Sequence, residues 1–140
     1  LLLASLFDLL SLWLLFMCLL PLVRLCRVWL ECSGAAAKKA RSPNIVQTIL
    51  QRNASKECPS LREIEQDIPR TFPEHPLLKS QAFRTSMRNV LLAYAYHSPE
   101  VGYCQSLNFV TAFLLLVSQR SEDDSFWLLA TLIEDILYPG

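Results

Sequence analysis

The sequence predicts an all-α fold. Apolar residues recur every three or four positions through its central and C-terminal parts, and serine, glycine and proline punctuate those runs. No stretch alternates apolar and polar side chains as a half-buried strand would, and no internal repeat is visible. With 52% apolar residues in a chain of 140, core-forming side chains suffice for one domain of ordinary size.

The first 23 residues are a segment apart. Leu1 to Val23 carries one charge, Asp8, and its length approaches what a bilayer-spanning helix needs. Arg24, Arg27, Lys38, Lys39 and Arg41 follow, which by the positive-inside rule would leave the rest of the chain in the cytosol. Three readings stay open for this hydrophobic N-terminal helix. It is a transmembrane or membrane-inserted helix, a buried helix or gene-model artefact, or a signal peptide lacking a basic n-region and an evident small-residue cleavage site.

From Arg24 the pattern is that of a helical domain. Ser33-Gly34-Ala35 reads as a break. Ser42-Pro43 reads as an N-cap with proline at the first helical position, leading to Ile45, Ile49 and Leu50 on one face. Asn53 to Pro59 is a polar loop. Ser60-Leu61-Arg62-Glu63 has the form of a capping box, with a short helix from Leu61 to about Asp67. Pro69 disfavours helical geometry at Ile68, so Arg70 is expected just past a helix end. Ser80 to Tyr96 is amphipathic, with Phe83, Met87, Val90, Leu91 and Tyr94 in one stripe. Leu107 to Val117 is apolar on nearly all faces and predicts a buried helix. Ser121 caps a last helix behind Glu122, Asp123 and Asp124, with Phe126, Leu129, Ile133, Ile136 and Leu137 facing inward.

Composition narrows the chemistry. Lys+Arg and Asp+Glu balance at 13 each, without the basic excess a nucleic-acid interface requires. Five irregularly spaced cysteines with no C-x-x-C argue against a disulfide framework and for a reducing compartment. Only His75 and His97 are present, neither at ligand spacing from a cysteine or from the other, so a metal site has little support. The three glycines form no phosphate-binding loop.

Two motifs carry side chains suited to phosphate chemistry. In Ile64-Glu65-Gln66-Asp67-Ile68-Pro69-Arg70, a guanidinium stands where the Asp67 carboxylate, three residues earlier, can hold its fork. In Gly102-Tyr103-Cys104-Gln105, a carboxamide that both donates and accepts can orient a water molecule. Gly102 permits a tight turn, and Asn108 is spaced to share a helical face with Gln105 and bond to it. Taken singly, Arg70 is first a cation at a helix C-terminus and Gln105 a polar residue near a helix start. Tyr103, Trp29, Trp127, Phe109 and Phe126 read as packing aromatics, and Cys104 as a small buried hydrophobe.

Ile64-x-x-Asp67-x-x-Arg70 followed by Thr71-Phe72-Pro73 resembles the first signature of the TBC domain of Rab GTPase-activating proteins. Val101 to Gln105 with Leu107-Asn108-Phe109 resembles the second. Arg24-x-x-Arg27-Val28-Trp29 with Ser33-Gly34-Ala35 is similar to the family's opening stretch, and the segments Val90 to Tyr94 and Phe126 to Leu129 also look like parts of it.

The resemblance implies a multi-helix orthogonal array at residues 22–140, incomplete at its C-terminus; the hydrophobic segment at 1–21 has no counterpart in the family. It implies Arg70 as an arginine finger and Gln105 as a glutamine finger. Both would be supplied in trans to a GTP-bound Rab-family GTPase, with Asp67, Tyr103 and Asn108 in support. GTP and magnesium would belong to the partner, the chain holding no cofactor of its own. The expected setting is cytoplasmic, on endomembranes, with residues 1–23 as a candidate membrane attachment. Ser106 stands where the family ordinarily has glycine, which keeps a second reading open: a scaffold that binds a GTPase without stimulating hydrolysis.

Overall fold

A computed structural model describes residues 24–137. The apolar segment 1–23, and with it the expected N-terminal or transmembrane helix, lies outside the described residues. Among those described, no helix is long and apolar enough to cross a membrane.

Seven α-helices follow one another with no strand among the described residues. Helix α1 covers residues 24–33 and ends where Gly34 turns into the left-handed region at φ 81°. Helices α2 (Ala35–Arg41), α3 (Ile45–Arg52) and α4 (Leu61–Asp67) are short, and α4 passes directly into a 3-10 turn, Ile68–Arg70. The long helix α5 (Gln81–His97) packs against α3, α4, α6 (Leu107–Val117) and α7 (Glu122–Thr131). The last of these runs on into a π-helical segment, Leu132–Leu137.

The stripe expected on α5 is the centre of the core: Phe83, Met87, Val90, Leu91 and Tyr94 are all buried. Around them close Val46 and Ile49 from α3, Ile64 from α4, Ala112 and Leu115 from α6, and Phe126 and Leu129 from α7. Two serine caps form, the expected one at Ser121 and a further one at Ser80. Ser80 stays extended and its Oγ accepts from the Phe83 amide at 3.2 Å, and Ser121 does the same for the Asp124 amide at 3.3 Å. Each satisfies one of the four amides a helix start leaves unpaired.

Several local expectations are corrected. Ser60 lies at φ −83°, ψ −2°, and its side chain makes no capping bond, so the capping box with Glu63 does not form. Ser42 ends α2, and α3 starts three residues later behind Asn44, which is left-handed at φ 55°. One of the amides that the start of α3 leaves without a partner in its own helix, that of Val46, is met from across the fold by Asp123 Oδ1 at 3.2 Å. Ile68 remains helical at φ −54°, ψ −50° despite Pro69, because proline at the start of the 3-10 turn forfeits an amide the tighter turn does not use.

Helix α6 is not buried all round. Its neighbours α5 and α7 cover one side, and Phe109 and Phe113 stand half exposed on the other. Ile133 is inward as expected, whereas Ile136 and Leu137 are exposed. The wider π-helical winding shifts the side-chain register off the inward stripe that α-helical spacing predicts.

Candidate functional site

Asp67 is the last residue of α4 and its side chain is buried. Three residues on, Arg70 ends the 3-10 turn with its side chain 61% exposed. In a 3-10 turn, positions i and i+3 eclipse one another, and this brings the guanidinium Nη2 onto Asp67 Oδ1 as an ion pair. The other carboxylate oxygen, Oδ2, accepts from the Tyr103 hydroxyl at 2.6 Å. One buried carboxylate therefore holds side chains from both motifs.

Tyr103 is buried in the segment that Gly102 opens at φ 60°. A Cβ on Gly102 would sit 3.5 Å from Ser60 Oγ, ordinary contact, so its positive φ and not crowding favours glycine there. Burial pushes the Tyr103 phenol pKa well above the usual tyrosine range. Its bond to Asp67 and that carboxylate's charge raise it further, while Arg70 acts weakly the other way. The phenol thus keeps its proton and remains a donor to Asp67.

Gln105 is exposed, in the short turn between Tyr103 and α6. The turn is closed by the Leu107 amide donating to the Cys104 carbonyl at 3.2 Å. Cys104 is exposed, against the expectation of a buried thiol, because the alternate residue Tyr103 takes the inward position. Ser106, which precedes α6, is left-handed at φ 85°, ψ −17°, a conformation that strains any residue with a Cβ. A glycine there would carry no such strain, which is the physical content of the departure noted at this position.

Asn108 does not pair with Gln105. Helix α6 begins at Leu107, so Gln105 is not on it, and Asn108 points into the interior. Its Nδ2 donates to Thr71 Oγ1 at 2.7 Å. Thr71, buried directly after Arg70, in turn donates its hydroxyl to the Asp67 carbonyl at 2.8 Å. Sequence reasoning missed Thr71 as a site residue. Its i, i−4 hydroxyl-to-carbonyl spacing from Asp67 was the available signal. Its partner Asn108 lies 37 residues away, beyond any local pattern.

The rim is aromatic. Phe72 and Phe109, both partly exposed, meet edge to face with ring centroids 5.0 Å apart, and Phe72 is itself left-handed at φ 43°. A cavity of ≈ 370 Å³ bounded by Trp29, Cys32, Leu114, Leu128 and Ile136 lies elsewhere and is lined by none of these residues. Arg70 and Gln105 are both exposed. No group of three His, Cys, Asp or Glu residues among those described could hold a metal ion.

Residues 11–139 match the Rab-GTPase-TBC domain family. The chain belongs to that family. A TBC domain-containing protein of Schizosaccharomyces pombe is 38% identical over 85% of this chain and 15% of its own length. Growth hormone-regulated TBC protein 1-A of Danio rerio is 40% identical over 79% of the chain and 31% of its own length. The human growth hormone-regulated TBC protein 1 is 37% identical over 84% and 35%. The crystal structure of the Chlamydomonas flagellar RabGAP TBC domain superposes with a TM-score of 0.74 at 41% identity, covering 82% of this chain and 39% of that one. This TBC chain thus spans about a third or less of the length of these curated relatives.

Proposed function

We propose that this TBC chain accelerates GTP hydrolysis by a Rab-family small GTPase, with Arg70 and Gln105 as fingers supplied in trans. The observation that carries the reading is the shared carboxylate: Asp67 pairs with Arg70 through one oxygen and receives Tyr103, two residues before Gln105, at the other. Arg70 neutralises charge developing on the transferring γ-phosphoryl, and Gln105 orients the attacking water. GTP and magnesium come with the partner, bound in its GTP form. Arginine fingers of this kind contribute roughly 10³–10⁵ in rate through charge placement. We place the Rab-GAP domain at residues 22–140, behind a hydrophobic segment at 1–21 into which the family match reaches back as far as residue 11. The protein acts in the cytoplasm at endomembranes, with residues 1–23 as the membrane attachment.

Single-turnover GTP hydrolysis across a panel of Rab proteins tests this. Wild type is expected to accelerate at least one of them, with Arg70→Ala and Gln105→Ala each losing most of the effect. Equal rates for Arg70→Ala and wild type would refute the finger assignment. A second reading, a scaffold that binds the GTPase without stimulating it, is favoured by the strained Ser106 next to Gln105. It predicts binding of the GTP-loaded Rab with no acceleration. Release of the protein by carbonate wash of membranes would rule out the membrane span.

A further inference from the structure

The segment holding Gln105 is fastened on both sides to the segment holding Arg70. On the N-terminal side, Tyr103 bonds to the Asp67 carboxylate at 2.6 Å. On the C-terminal side, Asn108 bonds to Thr71 at 2.7 Å, and Thr71 bonds to the Asp67 carbonyl at 2.8 Å. We propose that Thr71 is a positioning residue that sets the placement of Gln105 relative to Arg70. The inference rests on the two-finger reading above, to which it adds the second fastening.

The chemistry of the hydroxyl carries the argument. One atom, Thr71 Oγ1, donates to Asp67 and accepts from Asn108 at once, which a hydroxyl can do and a methyl or an ammonium cannot. All three groups are buried, so water does not substitute for a lost bond. Among the described residues Asn108 Oδ1 has no partner, and the bond from Nδ2 to Thr71 orients the Asn108 side chain. Asn108 sits in the first turn of α6, directly after the Gln105–Ser106 turn. Removing the hydroxyl releases that first turn while the Tyr103 fastening remains, so the Gln105 turn pivots about one end. Misplacement of a reacting group by about 1 Å costs roughly 100-fold in rate.

The test compares Thr71→Val, which keeps shape and loses both bonds, with Thr71→Ser, which keeps the hydroxyl. Asn108→Leu serves as a second variant that leaves the Thr71–Asp67 bond in place should Thr71→Val fold poorly. Under single-turnover conditions, Thr71→Val and Asn108→Leu are expected to lower the stimulated rate constant by roughly 10- to 100-fold. The GTPase concentration giving half-maximal stimulation is expected to change by less than about threefold, since positioning acts on the chemical step. Thr71→Ser restores most of the loss. Where wild type stimulates hydrolysis, an unchanged rate constant in both disruptive variants, or a loss residing only in the concentration dependence, overturns the proposal.

An NMR measurement separates this outcome from failure of the two-finger reading. The backbone and side-chain amide resonances of Gln105 shift in Thr71→Val and Asn108→Leu and return in Thr71→Ser. Gln105 resonances that match wild type in both disruptive variants overturn the positioning role, whatever the hydrolysis assay gives. Gln105 resonances that shift in both disruptive variants, alongside a wild type that accelerates no GTPase, support the positioning role while the two-finger reading falls.

Discussion

The Tyr103 hydroxyl donates to Asp67 Oδ2 at 2.6 Å across 36 residues of sequence, onto the carboxylate whose other oxygen pairs with Arg70. Asp67 is thus the junction at which the two signature segments of the TBC domain meet, and its two oxygens do different work.

Asp67→Asn is expected to separate these tasks. The amide oxygen still accepts from Tyr103, but the amide nitrogen, itself a donor, faces the Arg70 guanidinium and cannot hold it. Stability is predicted to fall by about 1–3 kcal/mol in denaturant titration. Stimulated hydrolysis is expected to fall more than GTPase binding does. A variant as active as wild type would show that Arg70 needs no anchor.

Tyr103→Phe tests the other oxygen. Loss of a buried bond to a charged acceptor is predicted to cost about 1.5–3 kcal/mol, read as a lower denaturation midpoint at unchanged slope. The bond also has a pH signature. The folded-state pKa of Tyr103 is raised, so with rising pH the unfolded chain loses this proton first. The contribution is therefore complete below about pH 10, the ordinary tyrosine range, and declines as pH rises from there toward the folded pKa. Wild-type stability is expected to fall above that point more steeply than that of Tyr103→Phe, and parallel profiles would contradict this.

Ser106→Gly relieves a left-handed residue at φ 85°. The left-handed region costs a side-chain-bearing residue about 1–2 kcal/mol, and glycine gives back roughly 0.5–1 kcal/mol in the unfolded chain. A net gain of up to about 1.5 kcal/mol is expected in thermal or chemical unfolding. If the strain also distorts the neighbouring Gln105, stimulated hydrolysis rises with it. Destabilisation by glycine would mean that the Ser106 side chain contributes something beyond its backbone cost.

Phe126→Ala removes a fully buried ring that meets Trp127 at 5.1 Å and His97 at 5.3 Å, both edge to face. Large-to-small changes at such positions cost about 3–5 kcal/mol, much of a small domain's total stability. Loss of the cooperative melting transition is expected by calorimetry. A melting temperature within a few degrees of wild type would show that α7 is not part of the core.

Much of the helical layout was legible because amphipathic spacing is a local record of burial. The stripe from Phe83 to Tyr94 and the cap at Ser121 form as the residues suggest. Asp67 and Arg70 were legible as a pair because three residues separate them. Ser60 and Ser42 carry the right chemistry for caps, yet capping needs an extended backbone at the capping residue, and Ser60 instead turns helical. For α3 a remote carboxylate, Asp123, takes up part of that role. Tyr103 with Asp67, and Asn108 with Thr71, are joined only by the packing of α4 and α6 around α5, which no spacing rule encodes. The outward turn of Ile136 and Leu137 was hidden for a different reason: the apolar spacing is α-helical and the winding is not.

The double fastening between the two signature segments also bears on conformational entropy. Two loops that would each have to be ordered separately are fixed against one another when the chain folds, by bonds that involve no partner. Backbone ordering costs on the order of 1–2 kcal/mol per residue. A partner arriving at this surface meets Arg70 and Gln105 with that cost already met, and only their exposed side-chain ends remain to be stilled. Slow or weak association, if measured, would therefore have its origin in the partner or in surfaces beyond these two segments.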